Sequence, residues 1–506
     1  MAMEFNSHRA LSNTAWSMLG YGWPIIFSIF VTPIVVSGLG IRAYGVYTFF
    51  NTVIGLLGLL DLGVSTAISK YLAEYHAQKD PEKVRRLLGT ASIILTGIGI
   101  VGLLIFIVGT SFPIFSKAFV DVSTYRTSMI AAGLTFFLSS VTSIYTMSFS
   151  ALQRFDLSSK VGVAVITFQQ LTILILVLGG YSINAIFISQ LVITFGSFII
   201  QRTLAFKILP EFSATFRWDR KEAAKYYRFG LTTFINNIST SSLTYLDRLI
   251  IPFFLGPSNL TYYSLPGNVG SKIPSLSNSL SAILFPMASG LHGTGEMDKL
   301  RTLYIRSFRL ITVVSAAATV TVIAYAYDIL HYWISSDLAD RSTTALIILA
   351  LTSFVLALIG PLSNFLLGLG KLKFLTTFSI SMAIINTILL LSLLPHGGIN
   401  GAAWAYLLSL FPAIYMFYFT EKHYLNLTER RAHYRKTVLG NLLVGGIIYA
   451  LATLVLSHLI INMASLLVVA AATGLLYLLL YWLFGLFEPE DVHSIKLFIN
   501  RLWSKR

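Results

Sequence analysis

Residues 87–110 read LLGTASIILTGIGIVGLLIFIVGT, twenty-four consecutive positions without a charged side chain. As a helix this run spans roughly 36 Å, more than the ~30 Å hydrocarbon core of a bilayer. Inside lipid every backbone N–H and C=O needs an internal partner, so a run of this kind folds as a helix. Working outward in both directions, similar stretches separated by polar or Gly/Pro breaks place further helices near 11–38, 43–69, 127–150, 160–179, 183–206, 229–254 and 260–288. They continue near 307–327, 343–368, 374–394, 399–419, 437–457 and 464–486. Strand-like alternation is sustained nowhere. Of the 506 residues, 55% are hydrophobic and 11% charged, against about 25% charged in soluble domains. The reading is an all-α membrane protein with about fourteen transmembrane helices.

The first apolar run, from Leu11 to about Val36, is longer than the apolar region of a signal peptide and lacks a small-residue cleavage pattern, so it reads as a retained helix. The chain has no cysteine, which excludes disulfides and thiolate-held zinc or haem. A net charge of +15 would suit nucleic acid only if it formed a basic face on a soluble segment, and no polar segment is long enough to build one. The charge is instead distributed by side. With fourteen helices, 30 of the 36 Lys and Arg residues fall on the side of the N-terminus, and only Arg42, Lys117, Arg126 and Arg341 on the other. Positive charge is retained in the cytoplasm, so both termini are expected there. The run 217–228, with Arg217, Arg220, Lys221, Lys225 and Arg228, is in addition suited to anionic lipid headgroups.

An internal repeat accompanies this pattern. LGIRAYGVY at 39–47 is answered by LGPSNLTYY at 255–263, which puts Tyr263 opposite Tyr47 at an offset of 216. The same offset places Lys83, Arg85 and Leu87 opposite Lys299, Arg301 and Leu303, and an offset of 217 places Gly180 and Ala185 opposite Gly397 and Ala402. Six helices per unit is an even number, so the units are parallel repeats with a cavity expected between them. The expected domains are an N-terminal lobe at 1–210, a cytoplasmic linker at 211–228 and a C-terminal lobe at 229–420. Residues 421–506 then carry two appended helices and a cytoplasmic tail.

Among the acidic residues only Asp61 and Asp247 lie within spans, and among the bases only Arg248 and Lys272 do so away from the helix ends. Each costs about 2.5–3.5 kcal/mol to insert, and such residues usually face a partner or a watery cavity. NNISTSSLTYLDR at 236–248 sets Asn237, Ser241, Thr244 and Arg248 within about 60° on one helix face. The next helix repeats the device with Asn268, Lys272, Ser275 and Ser279, and Pro266, Pro274 and Pro286 should bend it. Ser and Thr stripes commonly serve as packing glue between helices, and an internal ion pair such as Asp247 with Lys272 would also account for the charges. A stripe that carries a cation is less easily explained by packing. Arg248 lies roughly 12 Å and Lys272 roughly 18 Å below the outer ends of their helices. Two deep cations and one nearby acid suit an anion, and a guanidinium suits phosphate. Asp61 and Asp247 are the candidates for ion coupling, although Asp61 also reads as a solvated residue at a helix end.

No phosphate-binding Gly-rich loop and no His pair with metal spacing is present, so no covalent chemistry and no cofactor is expected. Energy would then come from an ion gradient, the membrane potential or consumption of the substrate downstream.

LGIRAYGVY followed by LLDLGVSTAISKYLAEY at 59–75 resembles the start of polysaccharide exporters of the Wzx type. LDRLIIPFFLG at 246–256, YYS at 262–264 and GGINGAAWAYLLSL at 397–410 resemble the second half of the same family. The likeness covers essentially the whole chain and extends to a superfamily that includes multidrug exporters and lipid II flippases. It implies a V-shaped, two-lobe, fourteen-helix flippase that moves undecaprenyl-pyrophosphate-linked oligosaccharide across the inner membrane by alternating access. Asp247 and Arg248 occupy the Asp-Arg position of that pattern, and Lys272 stands where such flippases often carry a cavity cation. The implied partners are the lipid-linked oligosaccharide, membrane lipids, a coupling ion (H+ or Na+) and a polysaccharide polymerase. A lipid II flippase is the alternative. A multidrug antiporter is less suited, since the first helix carries no acid. A polymerase or ligase would be expected to keep a sizeable external loop, and the longest external segments here are about 111–126 and 328–342.

Overall fold

A helix in lipid needs its terminal amides and carbonyls satisfied by the chain itself, and capping side chains do this at several helix starts. The Asp80 carboxylate accepts the N–H of Lys83 at 3.0 Å, and Pro81 takes the first helical position, where its missing N–H leaves nothing unpaired. Asp219 accepts from Lys221 and Glu222, and Asn462 and Ser465 form a reciprocal capping box. The computed structural model describes residues 27–61, 63–111, 122–213, 218–281, 284–427 and 430–488. Among them all regular structure is helical, and ten helices are long and apolar enough to cross a membrane. The protein is a multi-pass membrane protein.

The chain divides into two compact units, Met1–Thr261 and Tyr262–Arg506. The first contains α1 (Phe27–Leu39), α2 (Ile41–Leu57), α3 (Val64–Ala77), α4 (Pro81–Gly109), α5 (Val122–Ala151), α6 (Phe155–Leu178), α7 (Ile183–Ile208) and α8 (Arg220–Leu255). The start of the first expected helix, near residue 11, lies outside the described residues. Glycines let α4 approach α5 closely: a Cβ at Gly102 would sit 2.1 Å from the Phe136 ring and one at Gly99 would sit 2.9 Å from Phe137. Hydrogen bonds tie α5 to α7, from Ser128 Oγ to Asn184 Oδ1 at 2.6 Å and from Thr146 Oγ1 to Gln201 Oε1 at 2.6 Å. At one end of the unit Ile68, Leu72, Leu87, Phe149 and Tyr226 close a buried core, and the Tyr226 hydroxyl donates to the Leu87 carbonyl.

The second unit holds α9 (Pro257–Gly270), whose first residues belong to the first unit, then α10 (Lys272–Ser281), α11 (Leu284–Gly293) and α12 (Met297–Ala324). It continues with α13 (Ala326–Trp333), α14 (Ser336–Gly368), α15 (Leu372–Ser409), α16 (Pro412–Phe419), α17 (Arg430–Leu454) and α18 (Met463–Leu483). Within α15, Gly398 turns to φ 56°, ψ −141°, and a Cβ at Gly401 would lie 2.3 Å from the Leu393 carbonyl oxygen. The stretch is therefore two limbs that part near the expected break at 394–399. The last two helices pack on α12 through Val444, Ile448, Tyr477 and Tyr481 against Val313 and Ala317.

The repeat is also present in the backbone. Asp80 donates its N–H to the Tyr75 carbonyl around Lys79 (φ 54°), and Glu296 donates to Leu291 around Gly295 (φ 75°), 216 positions later. Arg154 donates to Phe149 around Gln153 (φ 54°), and Lys371 donates to Leu366 around Gly370 (φ 70°), 217 positions later. Each is the left-handed closure of a helix C-terminus. Gly40 (φ 82°, ψ 158°) and Gly256 (φ 83°, ψ 166°) share a conformation open only to glycine. The helices that follow these turns start in matching register: Ile41 with Pro257, Pro81 with Met297, Phe155 with Leu372.

Two helices differ from the sequence reading. The helix expected at 43–69 is broken by a 3-10 turn at Gly58–Asp61, and Gly63 (φ 75°) starts α3. The one expected at 260–288 is interrupted between α9 and α10 at Ser271, and α11 begins at Leu284. Pro274 explains the first interruption, since its ring and missing N–H exclude a helical bond to the carbonyl four residues before, at Gly270.

Candidate functional site

The polar face of α8 comes first. Tyr245 packs against α2, where a Cβ at Gly55 would lie 3.0 Å from its ring, so this side of α8 faces the body of the unit. Asp247 is 2% exposed. Arg248, about 100° further round the helix, is half-buried, as is Ser241. Arg248 lies within electrostatic reach of the Tyr44 hydroxyl on α2. Tyr44 in turn neighbours Tyr47, with ring centroids 5.9 Å apart, and the Tyr47 hydroxyl accepts from Gln190 of α7 at 3.3 Å. The side chains of Asn237 and Thr244 lie outside the described residues.

In the second unit the break before α10 gathers the other predicted residues. Lys272 is half-buried at the first position of α10, and among the described residues it makes no ion pair or hydrogen bond. The partial positive charge of a helix N-terminus adds to its own. Asn268 is half-buried one turn earlier, and its carbonyl accepts from Ser271 Oγ at 2.8 Å. Ser275 is exposed and donates to the Ser271 carbonyl at 2.9 Å. The side chain of Ser279 lies outside the described residues.

Asp61 lies in the turn between α2 and α3. Both carboxylate oxygens accept the N–H of Ser65 at 3.2 Å. The residue opens into a cavity of about 240 Å³ within the first unit, shared with Ser65 and three serines of α5.

The structure thus sets Ser241 and Arg248 on one helix and gathers Asn268, Lys272 and Ser275 at one helix break. The sequence reading missed Tyr44, Tyr47, Gln190 and Ser271. Their one signal was the i, i+3 spacing of Tyr44 and Tyr47 in an otherwise apolar span, and Gln190 is brought to them only by tertiary packing.

Polar residues outside the spans form a second cluster. The Lys225 ammonium donates to Tyr75 Oη at 2.5 Å and to Glu222 Oε1 at 2.8 Å, and Glu222 is 6% exposed. Partial burial works against the Lys225 charge, but these hydrogen bonds and the Glu222 charge outweigh it and raise its pKa.

Residues 10–292 match the family described as polysaccharide biosynthesis protein, and residues 233–391 match the MatE family. A Haloferax volcanii protein named as flippase AglR is 24% identical over 388 residues, covering 75% of this chain and 76% of that protein. A Shigella flexneri protein carried under the name of an O-antigen transporter is 20% identical over 405 residues, covering 78% and 93%. The fold is similar to that of lipid II flippase MurJ in an inward closed conformation, with a TM-score of 0.72 at 14% identity over 92% of this chain and 99% of that one. An inward-facing multidrug transporter of the MATE family gives a TM-score of 0.57 at 15% identity over 80% and 96%. The architecture is therefore a MurJ- and MATE-like transporter fold. With the family match spanning more than half of its length, the chain belongs to the polysaccharide biosynthesis protein family, among the Wzx-type polysaccharide exporters.

Proposed function

We propose that this protein is a flippase that moves undecaprenyl-pyrophosphate-linked oligosaccharide across the cytoplasmic membrane by alternating access, driven by an ion gradient or the membrane potential. The observation that carries the reading is Lys272. It is a half-buried cation at the head of a broken helix, and it makes no ion pair among the described residues. A cation within a span is costly unless it meets a partner or a watery cavity, and an anionic substrate would be such a partner. Arg248, half-buried on a polar helix face, is the second charge proposed to attract the pyrophosphate. Asn237, Ser241, Thr244, Asn268 and Ser275 supply neutral hydrogen bonds, and Asp247 and Asp61 are the candidates for ion coupling.

The arrangement goes with fourteen spans. Ten helices are long and apolar enough, and one of them, Leu372–Tyr424, parts at Gly398 into two limbs. Phe27–Leu39, Arg220–Leu255 and the broken α9–α11 supply the remaining three. With that count both termini and the 211–228 linker are cytoplasmic. The two six-helix repeats at 1–210 and 229–420 are parallel, and 421–506 is an appendage. An inner-membrane location and a polysaccharide polymerase that receives the flipped unit follow from the same reading.

A lipid II-type substrate is the second reading, favoured by the likeness to MurJ, whereas a multidrug antiporter would need an acidic cavity for cations. The test is export in cells: Arg248→Ala and Lys272→Ala should reach the membrane in near-normal amounts yet accumulate lipid-linked oligosaccharide on the cytoplasmic side. Undiminished surface polysaccharide in both variants would remove the reading, and loss of lipid II transport instead would select the second.

A further inference from the structure

Among the described residues Asp61 has no basic partner. It takes part in no ion pair among them, no Lys or Arg among them lines its cavity, and its hydrogen bonds come from the N–H of Ser65. The residue closes a span of 21 residues that begins at Ile41, so its charge sits at the edge of the hydrocarbon layer. Facing it across the cavity are Ser139, Ser140 and Ser143 of α5, and the remaining walls are apolar residues such as Leu95 and Phe136. Two of these hydroxyls have committed their protons elsewhere: Ser140 Oγ donates to the Leu95 carbonyl at 2.8 Å and Ser143 Oγ donates to the Ser140 carbonyl at 2.7 Å. A hydroxyl whose proton is engaged in this way offers only lone pairs to the space beside it.

We infer that this cavity is a binding site for a sodium ion, held by the Asp61 carboxylate and by serine oxygens of α5, and that this site is the coupling site of the ion-driven transport proposed above. The inference deepens that reading and rests on it for the role of the ion, but not for its binding. One carboxylate calls for one positive charge. An all-oxygen donor set suits a hard cation, and a divalent ion would want a second carboxylate. A cavity of about 240 Å³ leaves room for retained waters, each of which takes about 30 Å³ of liquid volume. Sodium is preferred to potassium because the smaller ion approaches the carboxylate more closely, and Coulomb attraction grows as the separation falls. The position also gives the ion something to do. It bridges the broken joint between α2 and α3 to the middle of α5, so its arrival fixes a hinge in the first unit.

The experiment uses the purified full-length protein in nanodiscs without any lipid-linked sugar, so that the flippase reading stands or falls separately. Binding of 22Na+ is measured by equilibrium dialysis, with choline chloride holding the ionic strength, and thermal unfolding is followed in the same buffers. The expected result is one saturable site that raises the unfolding temperature, with K+ at least about tenfold weaker. Asp61→Asn keeps an oxygen able to cap α3, so it should fold, yet it should lose the saturable binding. Ser139→Ala combined with Ser143→Ala should weaken binding several-fold while leaving the fold unchanged. No saturable 22Na+ binding by the native protein, or binding undiminished in Asp61→Asn, would overturn the inference. Stabilisation by acid alone, with no response to Na+, would assign Asp61 to a proton and overturn it equally.

Discussion

Asp247 and Arg248 are adjacent in sequence, but their surroundings on α8 differ, and this difference separates structure from function. Asp247 is 2% exposed and engaged by neighbouring groups. Its removal in Asp247→Ala leaves buried partners unsatisfied, which costs about 1–3 kcal/mol and should lower the amount of protein in the membrane. Lys272, half-buried and without an ion pair among the described residues, should behave in the opposite way: Lys272→Ala should be as abundant as the native protein and defective only in export. Arg248→Lys keeps a charge but loses the bidentate fork, so its export should fall between those of the native protein and Arg248→Ala. Immunoblots of membrane fractions alongside surface polysaccharide measure both sides of this contrast. The cations were legible in the sequence because a charge inside an apolar run stands out. Tyr44 and Gln190 were not, since neutral side chains in a span look like packing until tertiary contacts bring them together.

Among the helices, the ends respond to chemistry that solution experiments can reach. Burial works against the Asp219 charge, but the amides of Lys221 and Glu222, with Arg86 and Lys221 nearby, outweigh it and hold the carboxyl below the usual range. A group whose folded pKa is depressed contributes stability above its unfolded pKa of about 3.9 and loses it as the pH falls through the folded value. Asp219→Ala should therefore cost about 1 kcal/mol near neutral pH, with the difference from the native protein shrinking below about pH 4. Unfolding midpoints between pH 3 and 7 would show the convergence, and parallel curves would contradict it. Gly40 and Gly256 share a backbone conformation that a side chain tolerates poorly, so Gly40→Ala and Gly256→Ala should each cost about 1–3 kcal/mol. Equal stability of either variant would show the turn to be plastic. Helix positions were readable because lipid forces every span to a similar apolar length. The break at 58–63 was not, because neighbouring helices allow glycine to interrupt a span that hydropathy alone shows as continuous, whereas the break at 271 falls where Pro274 signals a bend.

For the whole molecule, the repeat was visible in sequence as a few aligned residues, and the structure adds equivalent positions that sequence identity does not show: the turns around Lys79 and Gly295, and around Gln153 and Gly370, make the same backbone bonds. Away from these turns and the few aligned residues the two halves share mainly hydrophobicity, and the sequence offers little to align there. Orientation is testable directly, since the chain has no cysteine. Asp340 and Thr294 are exposed, so Asp340→Cys should react with an impermeant maleimide on intact cells, whereas Thr294→Cys should react only after lysis. The reverse pattern would invert the topology. The central claim, that two cations guide a lipid-linked pyrophosphate through the membrane, is tested most directly in proteoliposomes loaded with fluorescent undecaprenyl-pyrophosphate oligosaccharide. The measurement is the rate at which the labelled sugar becomes accessible to an impermeant quencher. The native protein should move it, and the Arg248→Ala, Lys272→Ala double variant should be slower by at least about tenfold, the equivalent of one lost charge-assisted contact. Equal rates for the two proteins would contradict the account.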